Sequence, residues 1–296
     1  MTSPVPPPTL GRVTILDVIQ RSTEFLAKRG VDSPRLQVEL LLAHLLRVPR
    51  LKLYLNFERM LTDTELATLR ELVQRRGKRQ PLQHLVGSTS FCGLEFAVSP
   101  AVLIPRPETE LLAERAWQHL STHSSQPSTV LDFGTGSGCL AIALAVKCPA
   151  AHVHALDISE TALQLARTNA ARHGVEQRVQ FHCGDGFTAL PAGVKFDLIV
   201  ANPPYIPSAE IATLEPEVRD HDPRLALDGG ADGLDFYRRL ASESGAWLRA
   251  GGRLMAEFGD GQADAVGACF TATGWKDRAI EPDLSGRARF MTVCRA

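Results

Sequence analysis

Val130 to Gly138 reads VLDFGTGSG, an apolar β-forming stretch carrying Asp132, followed by glycine at 134, 136 and 138 and then by the apolar run CLAIALAVK over Cys139–Lys147. The pattern predicts a strand, a tight turn and a helix. Glycines at such a turn let the backbone bend sharply and let a ligand approach closer than a Cβ permits. The dinucleotide fingerprint G-x-G-x-x-G requires glycine at position 139, where this chain has Cys139; its third glycine falls at 138 instead. Nineteen residues past Gly138, at the tip of the next expected strand, Asp157 supplies a carboxylate able to accept hydrogen bonds from both hydroxyls of a ribose. A nucleoside-bearing cofactor other than a dinucleotide is therefore expected.

Around this segment, strands and helices alternate. Strands are expected at Val130–Phe133, His152–Asp157, Val179–Cys183, Phe196–Ala201, Arg253–Glu257 and Arg289–Cys294. Helices are expected at Glu108–His119, Cys139–Lys147, Glu160–His173, Phe236–Leu248 and Gly261–Thr273, with a polar loop over Ser121–Ser128. FDLIVA at 196–201 is apolar nearly throughout, as a strand covered on both faces should be. The alternation predicts an α/β fold with a doubly wound, mostly parallel sheet, in which ligands bind beyond the carboxyl ends of the strands. After the third strand, Asp185 and Gly186 are placed either to border an adenine ring, Asp185 accepting from its amino group, or to form an Asx turn. A glycine-rich loop with acids after the second and third strands is the arrangement of class I (Rossmann-like) methyltransferases. It assigns Gly134, Thr135, Gly136, Ser137, Gly138, Asp157, Asp185 and Gly186 to the cofactor.

The fourth strand runs into Asn202, Pro203, Pro204 and Tyr205. A rigid turn needs the prolines, which fix φ and remove donors, but needs neither the Asn nor the Tyr. Methylating a planar amide or aromatic amine requires the nitrogen lone pair to be drawn out of conjugation. The Asn202 side-chain oxygen and the Pro203 carbonyl can each accept one N–H of such a group, Pro203 and Pro204 hold these acceptors in place, and Tyr205 can stack on the planar substrate. These four residues are the expected catalytic and substrate-binding group, with Asn202 also touching the cofactor. Proximity supplies the remaining catalysis, so no dedicated base is required.

The first 80 or so residues are of a different kind. Ile15, Val18, Ile19, Phe25 and Leu26 share a helical face that Gly30 ends; Ser33 and Pro34 are expected to open a second helix through Leu46, and Thr62 with Glu65 has capping-box spacing for a third. Arg75, Arg76, Lys78 and Arg79 are expected to form a solvated helix end. Short β-like stretches at Phe91–Val98 and Val102–Ile104 follow. The opening MTSPVPPP resembles neither a signal peptide nor an anchor and is expected to be a flexible tail; no apolar run approaches the ~20 residues that span a bilayer. Six cysteines lack any Cys-x-x-Cys pair or zinc-finger spacing, so free thiols, no metal and a cytoplasmic location are expected. A net charge of -1 gives no global attraction for nucleic acid.

PLQHLVGSTSFCGLEF at 81–96, IPRPETE at 104–110, VLDFGTGSG, NPPYIP at 202–207, the segment from Glu215 to Arg239 and EFGDGQ at 257–262 together resemble the HemK/PrmC family of peptide chain release factor glutamine methyltransferases. The resemblance implies that S-adenosyl-L-methionine is the cofactor, that the side-chain amide of the glutamine in a release factor's Gly-Gly-Gln motif is methylated, and that the helical region helps recognise that partner. It implies the same cofactor role for Gly134–Gly138, Asp157, Gly186 and Asn202, and a substrate role for Asn202–Tyr205. Some members of that family carry a large aromatic residue where this chain has Gly186, so a stacking contact on adenine is either absent or supplied by Phe187. In IPRPETE, Arg106 and Glu108 shape the cofactor pocket or merely stiffen a loop that opens a helix at Pro107. The expected organisation is a tail over 1–10, a helical recognition domain over 11–82, a linking β-hairpin over 83–107 and the methyltransferase domain over 108–296. The competing reading is an adenine-N6 methyltransferase acting on DNA or RNA; no extended Lys/Arg and aromatic surface supports it.

Overall fold

A computed structural model describes residues 13–123, 127–271 and 274–295, so the expected tail over 1–10 lies outside them. The chain divides into two compact units, one running to Val86 and the other from Gly87.

In the first unit, helix α1 (Ile15–Lys28) starts at a capping box: the Thr14 hydroxyl accepts the Asp17 N–H, and the Asp17 carboxylate accepts the Thr14 N–H. Helix α4 (Asp63–Gly77) repeats the device with Thr62 and Glu65. Such caps satisfy N–H groups that the first turn leaves without helical partners. Ile15, Ile19 and Leu26 of α1, Val38, Leu41 and Leu42 of α2 (Pro34–Leu46), and Leu69 and Val73 of α4 make the core. Two expectations fail here. Ser33 does not cap α2, because its backbone is left-handed (φ 45°) and a capping hydroxyl reaches the first turn from an extended backbone. Arg76 is buried, with Nε donating to Gln37 Oε1, so that part of the basic run is internal structure and not a solvated end. Two short helices complete the unit: α3 (Arg50–Tyr54), in a stretch without an expected element, and α5 (Leu82–Val86), most of which falls in the hairpin expected over 83–107.

The second unit begins with an antiparallel hairpin, β1 (Ser88–Phe91) and β2 (Leu94–Ala97), turning through Cys92 and Gly93, both at positive φ. The stretch expected over Phe91–Val98 thus holds the last residue of β1, the turn and β2, the hairpin beginning earlier at Ser88, and Val102–Ile104 forms no strand. Phe91 and Phe96 pack into this unit's core, and the buried Asn169 side chain bonds both the N–H and the carbonyl of Ala97 (2.8 and 3.1 Å).

The main sheet has seven strands: β3 (Thr129–Phe133), β4 (His152–Asp157), β5 (Val179–Cys183), β6 (Phe196–Ala201), β7 (Leu248–Glu257), β8 (Lys276–Pro282) and β9 (Ala288–Cys294), in the order β5-β4-β3-β6-β7-β9-β8. The first five are parallel, while β9 and β8 join antiparallel. Because side chains alternate along a strand, Val130 and Leu198 face one apolar layer and Leu131 and Ile199 the other. Helices α6 (Pro107–His123), α7 (Cys139–Lys147) and α8 (Glu160–Arg172) supply the first layer. Helices α10 (Asp235–Glu243) and α11 (Ala263–Thr271) supply the second, and the short α9 (Pro216–Arg219) lies in the connection between β6 and α10. The sheet is doubly wound, as expected. Its topological switch point lies between β3 and β6, where the connections leave in opposite directions and open a crevice at the strands' carboxyl ends.

Candidate active site

A cavity of about 250 Å³ fills that crevice. Every residue expected at the cofactor lines it except Gly138: Gly134, Thr135, Gly136 and Ser137 follow β3, Asp157 ends β4, Asp185 and Gly186 follow β5, and Asn202 follows β6. Gly138 itself is the N-cap of α7 at φ 81°; a Cβ there would stand 2.9 Å from Ile142 Cδ1 and 3.0 Å from Ala166 Cβ, so this glycine lets α7 and α8 meet.

The loop is tied to the sheet from below. Asp132 is wholly buried; its Oδ2 accepts the Thr135 hydroxyl (2.6 Å) and the Ala141 N–H (3.0 Å), and burial pushes its carboxyl up to about 7. Asp157 Oδ2 accepts the Gly136 N–H (2.8 Å) and Oδ1 the Ser159 N–H (2.9 Å). Burial raises the Asp157 carboxyl above its ordinary value against those bonds. Each of its oxygens keeps a lone pair for a ligand hydroxyl. Ser137 lines the cavity, and its buried hydroxyl meets no nitrogen or oxygen partner.

On the β5 side the arrangement departs from expectation. Asp185 Oδ1 is taken by Arg239 Nη1 of α10. The Arg239 guanidinium lies over Gly186, where a Cβ would come within 2.1 Å of Nη2. Phe187, the ring expected to stand in for an aromatic at 186, is buried against Phe133 and Trp247 and does not line the cavity. Arg239 does.

The turn after β6 splits in two. Asn202 and Pro204 line the cavity; Pro203 is buried behind them and Tyr205 packs on the apolar layer beneath. Burial pushes the Tyr205 phenol up to about 12. Gln262 braces the turn, accepting the Gly259 N–H (2.8 Å) and donating to the Tyr205 carbonyl (2.9 Å). The Asn202 amide donates from Nδ2 to the Thr109 hydroxyl (2.9 Å), and Thr109 donates to Glu257 Oε2 (2.7 Å). Glu257, at the end of β7, is buried, which pushes its carboxyl up to about 7.

IPRPETE therefore reaches the site through one of the two residues expected and one that was not. Arg106 lines the cavity and pairs with the buried Asp222, but Glu108 is exposed and it is Thr109 that faces inward. Sequence reasoning missed Thr109, Asp222, Arg239 and Glu257. The available signal was their position inside IPRPETE, the segment from Glu215 to Arg239 and EFGDGQ, singled out as segments but not residue by residue. Among the described residues no three His, Cys, Asp or Glu side chains converge as metal ligands would.

Known proteins share both parts of the chain. Residues 17–87 match the family described as PrmC N-terminal domain, and residues 109–215 the family described as Methyltransferase small domain. A release factor glutamine methyltransferase of Geobacter sulfurreducens is 46% identical, with 92% of this chain and 94% of that protein covered. One of Chlorobaculum tepidum is 44% identical, covering 85% and 87%. Among solved structures, a methyltransferase from Pyrococcus furiosus superposes with a TM-score of 0.52 at 18% identity, over 75% of this chain and 98% of that one, a likeness of fold.

Proposed function

Since the chain belongs to the release factor glutamine methyltransferases, we propose that its cavity holds S-adenosyl-L-methionine beside the Asn202–Tyr205 turn, which presents the glutamine of a release factor's Gly-Gly-Gln motif. The enzyme is an S-adenosylmethionine-dependent protein-(glutamine-N5) methyltransferase. When bound, the cofactor supplies an electrophilic methyl group. The residues present fit it: Asp157 offers acceptors for the ribose hydroxyls, Gly134 and Gly136 leave backbone room, the Ser137 hydroxyl has no nitrogen or oxygen partner of its own, and Asp185 and Gly186 flank the base.

The chain's own task is to prepare the amide nitrogen. Asn202 Oδ1 and the Pro203 carbonyl accept its two N–H bonds, which turns the lone pair out of the amide plane. Pro203 and Pro204 stiffen the acceptors, and the Tyr205 side chain underpins the turn rather than reaching into the cavity. The single observation that carries the reading is the Asn202 amide on the cavity wall, with Nδ2 engaged and Oδ1 open. The helical residues 11–82 serve recognition of the release factor. The work takes place in the cytoplasm without a nucleic-acid or membrane partner; no helix among the described residues is long and apolar enough to cross a bilayer.

The test is transfer of labelled methyl from S-adenosylmethionine to a purified, unmodified release factor and to a variant with the Gly-Gly-Gln glutamine replaced by alanine. Label on the first alone is expected; label on adenine in nucleic acid and on neither protein would overturn the reading. Asn202→Ala should keep cofactor affinity within a few-fold while lowering kcat about 10²–10³-fold, as loss of one preorganised transition-state contact does.

A further inference from the structure

The Thr109 hydroxyl has one proton to give, and the Glu257 carboxylate beside it has none. With Oγ1 2.7 Å from Glu257 Oε2, that proton lies on the line to the carboxylate, and the hydroxyl turns a lone pair to Asn202 at 2.9 Å. Only the N–H side of the Asn202 amide can meet a lone pair, so the amide's orientation follows from the network. We propose that Thr109 and Glu257 are positioning residues that hold the Asn202 amide with Nδ2 inward and Oδ1 toward the cavity, where it accepts the N–H of the substrate amide. The inference deepens the function proposed above and rests on it.

The elements make the arrangement stiff. Asn202 follows β6, Glu257 ends the parallel neighbour β7 with Ala201 opposite Ala256, and Thr109 sits in the first turn of α6 with its N–H on the Arg106 carbonyl. Thr109 is 2% and Glu257 1% exposed, so no water competes for either bond. The Tyr237 hydroxyl donates to the Glu257 carbonyl (2.7 Å) and fixes the backbone from the other layer.

The relay has a protonation state. If Glu257 gains a proton on Oε2 it becomes the donor, Thr109 turns its own proton toward Asn202, and the amide flips to present Nδ2 to the substrate. Two N–H groups then face each other and the acceptor is lost. The charged groups around Glu257 are Arg289 of β9 and Arg106 ahead of α6, which favour its ionised form, and Glu108 of α6, which opposes it; the Tyr205 and Tyr237 phenols are further titratable neighbours. Burial outweighs the arginines and brings the titration to about 7, so activity rises with pH through that value.

The full-length enzyme tests this through Thr109→Val, Thr109→Ser and Glu257→Gln, with calorimetry on S-adenosylhomocysteine beside steady-state kinetics on the release factor. Thr109→Val is expected to leave the S-adenosylhomocysteine Kd and the KM within about threefold while kcat falls about 100-fold, with Thr109→Ser restoring most of it. Glu257→Gln removes the rise of kcat with pH, whereas a limb due to Asp132 would survive it. A Thr109→Val enzyme with wild-type kcat, or a Glu257→Gln enzyme with the rise intact, overturns the proposal; should Thr109→Val fail to fold, the Glu257→Gln profile decides. The Asn202 side-chain NH₂ resonance, followed by NMR from pH 6 to 8, is independent of turnover. If the wild-type enzyme methylates no release factor, the functional reading falls, and this resonance still judges the relay: movement with the Glu257 titration supports it, and an invariant signal overturns it.

Discussion

Arg239 shows what a single side chain does at this site. Its Nη1 and Nη2 hold the Asp185 carboxylate and carbonyl, its Nε holds Glu243 (3.2 Å), and its guanidinium occupies the space above Gly186. If adenine binds there as proposed, this planar cation on the cavity wall stacks on its ring, a contact contributing about 0.5–2 kcal/mol. Arg239→Ala is accordingly expected to weaken S-adenosylhomocysteine binding about tenfold by calorimetry, since tenfold is about 1.4 kcal/mol. An unchanged Kd would exclude Arg239 from the proposed contact with adenine. The role was not legible in sequence: Gly186 and Arg239 meet only because β5 and α10 converge, and local reading pointed to the adjacent Phe187. Asp157 and Asn202 were legible because one ends and the other directly follows a strand whose pattern identifies it, so topology alone delivers them to the crevice.

At the scale of elements, the junction of α7 and α8 has little tolerance. Gly138→Ala adds a Cβ at φ 81° against Ile142 and Ala166, a strained conformation costing roughly 1–3 kcal/mol. Thermal unfolding should show Tm lower by several degrees, at about 2–4 °C per kcal/mol for a unit of this size; an unchanged Tm would mean the helices separate freely. Which elements the sequence disclosed follows from what shapes them. The buried parallel strands and the two capping boxes are written locally, in apolar runs and in Thr–x–x–acid spacing. Strand β8 is not: KDRAIEP holds two apolar residues and a proline, and it is a strand because β9 lies beside it. Helices α3 and α5 are too short to display a period. Val102 and Ile104 are apolar because the core takes them, without any strand partner.

For the whole molecule, stability and turnover should respond to pH in opposite senses. Asp132 and Glu257 have carboxyls pushed up to about 7 by burial, against about 4 in an unfolded chain. The folded protein therefore retains protons that the unfolded chain releases, a stabilisation complete below about pH 4 and lost as pH rises through 7. His154, pushed down to about 4 by burial, acts the other way between about 4 and 6.5, which leaves the carboxyl effect unopposed by it above that range. Tm is expected to fall from pH 6.5 to 8, less steeply in Glu257→Gln, while kcat climbs over the same interval; parallel slopes for the two proteins in calorimetric scans would contradict the assignment to Glu257. One further property belongs to the molecule as a whole. Strand β8 closes one side of the sheet with Lys276, Asp277 at φ 50°, Arg278 and a terminal Pro282, and its pairing with β9 shifts register twice. An approaching strand meets charge, a missing donor and an interrupted ladder instead of a continuous template, so on this side the sheet resists edge-to-edge growth into aggregates.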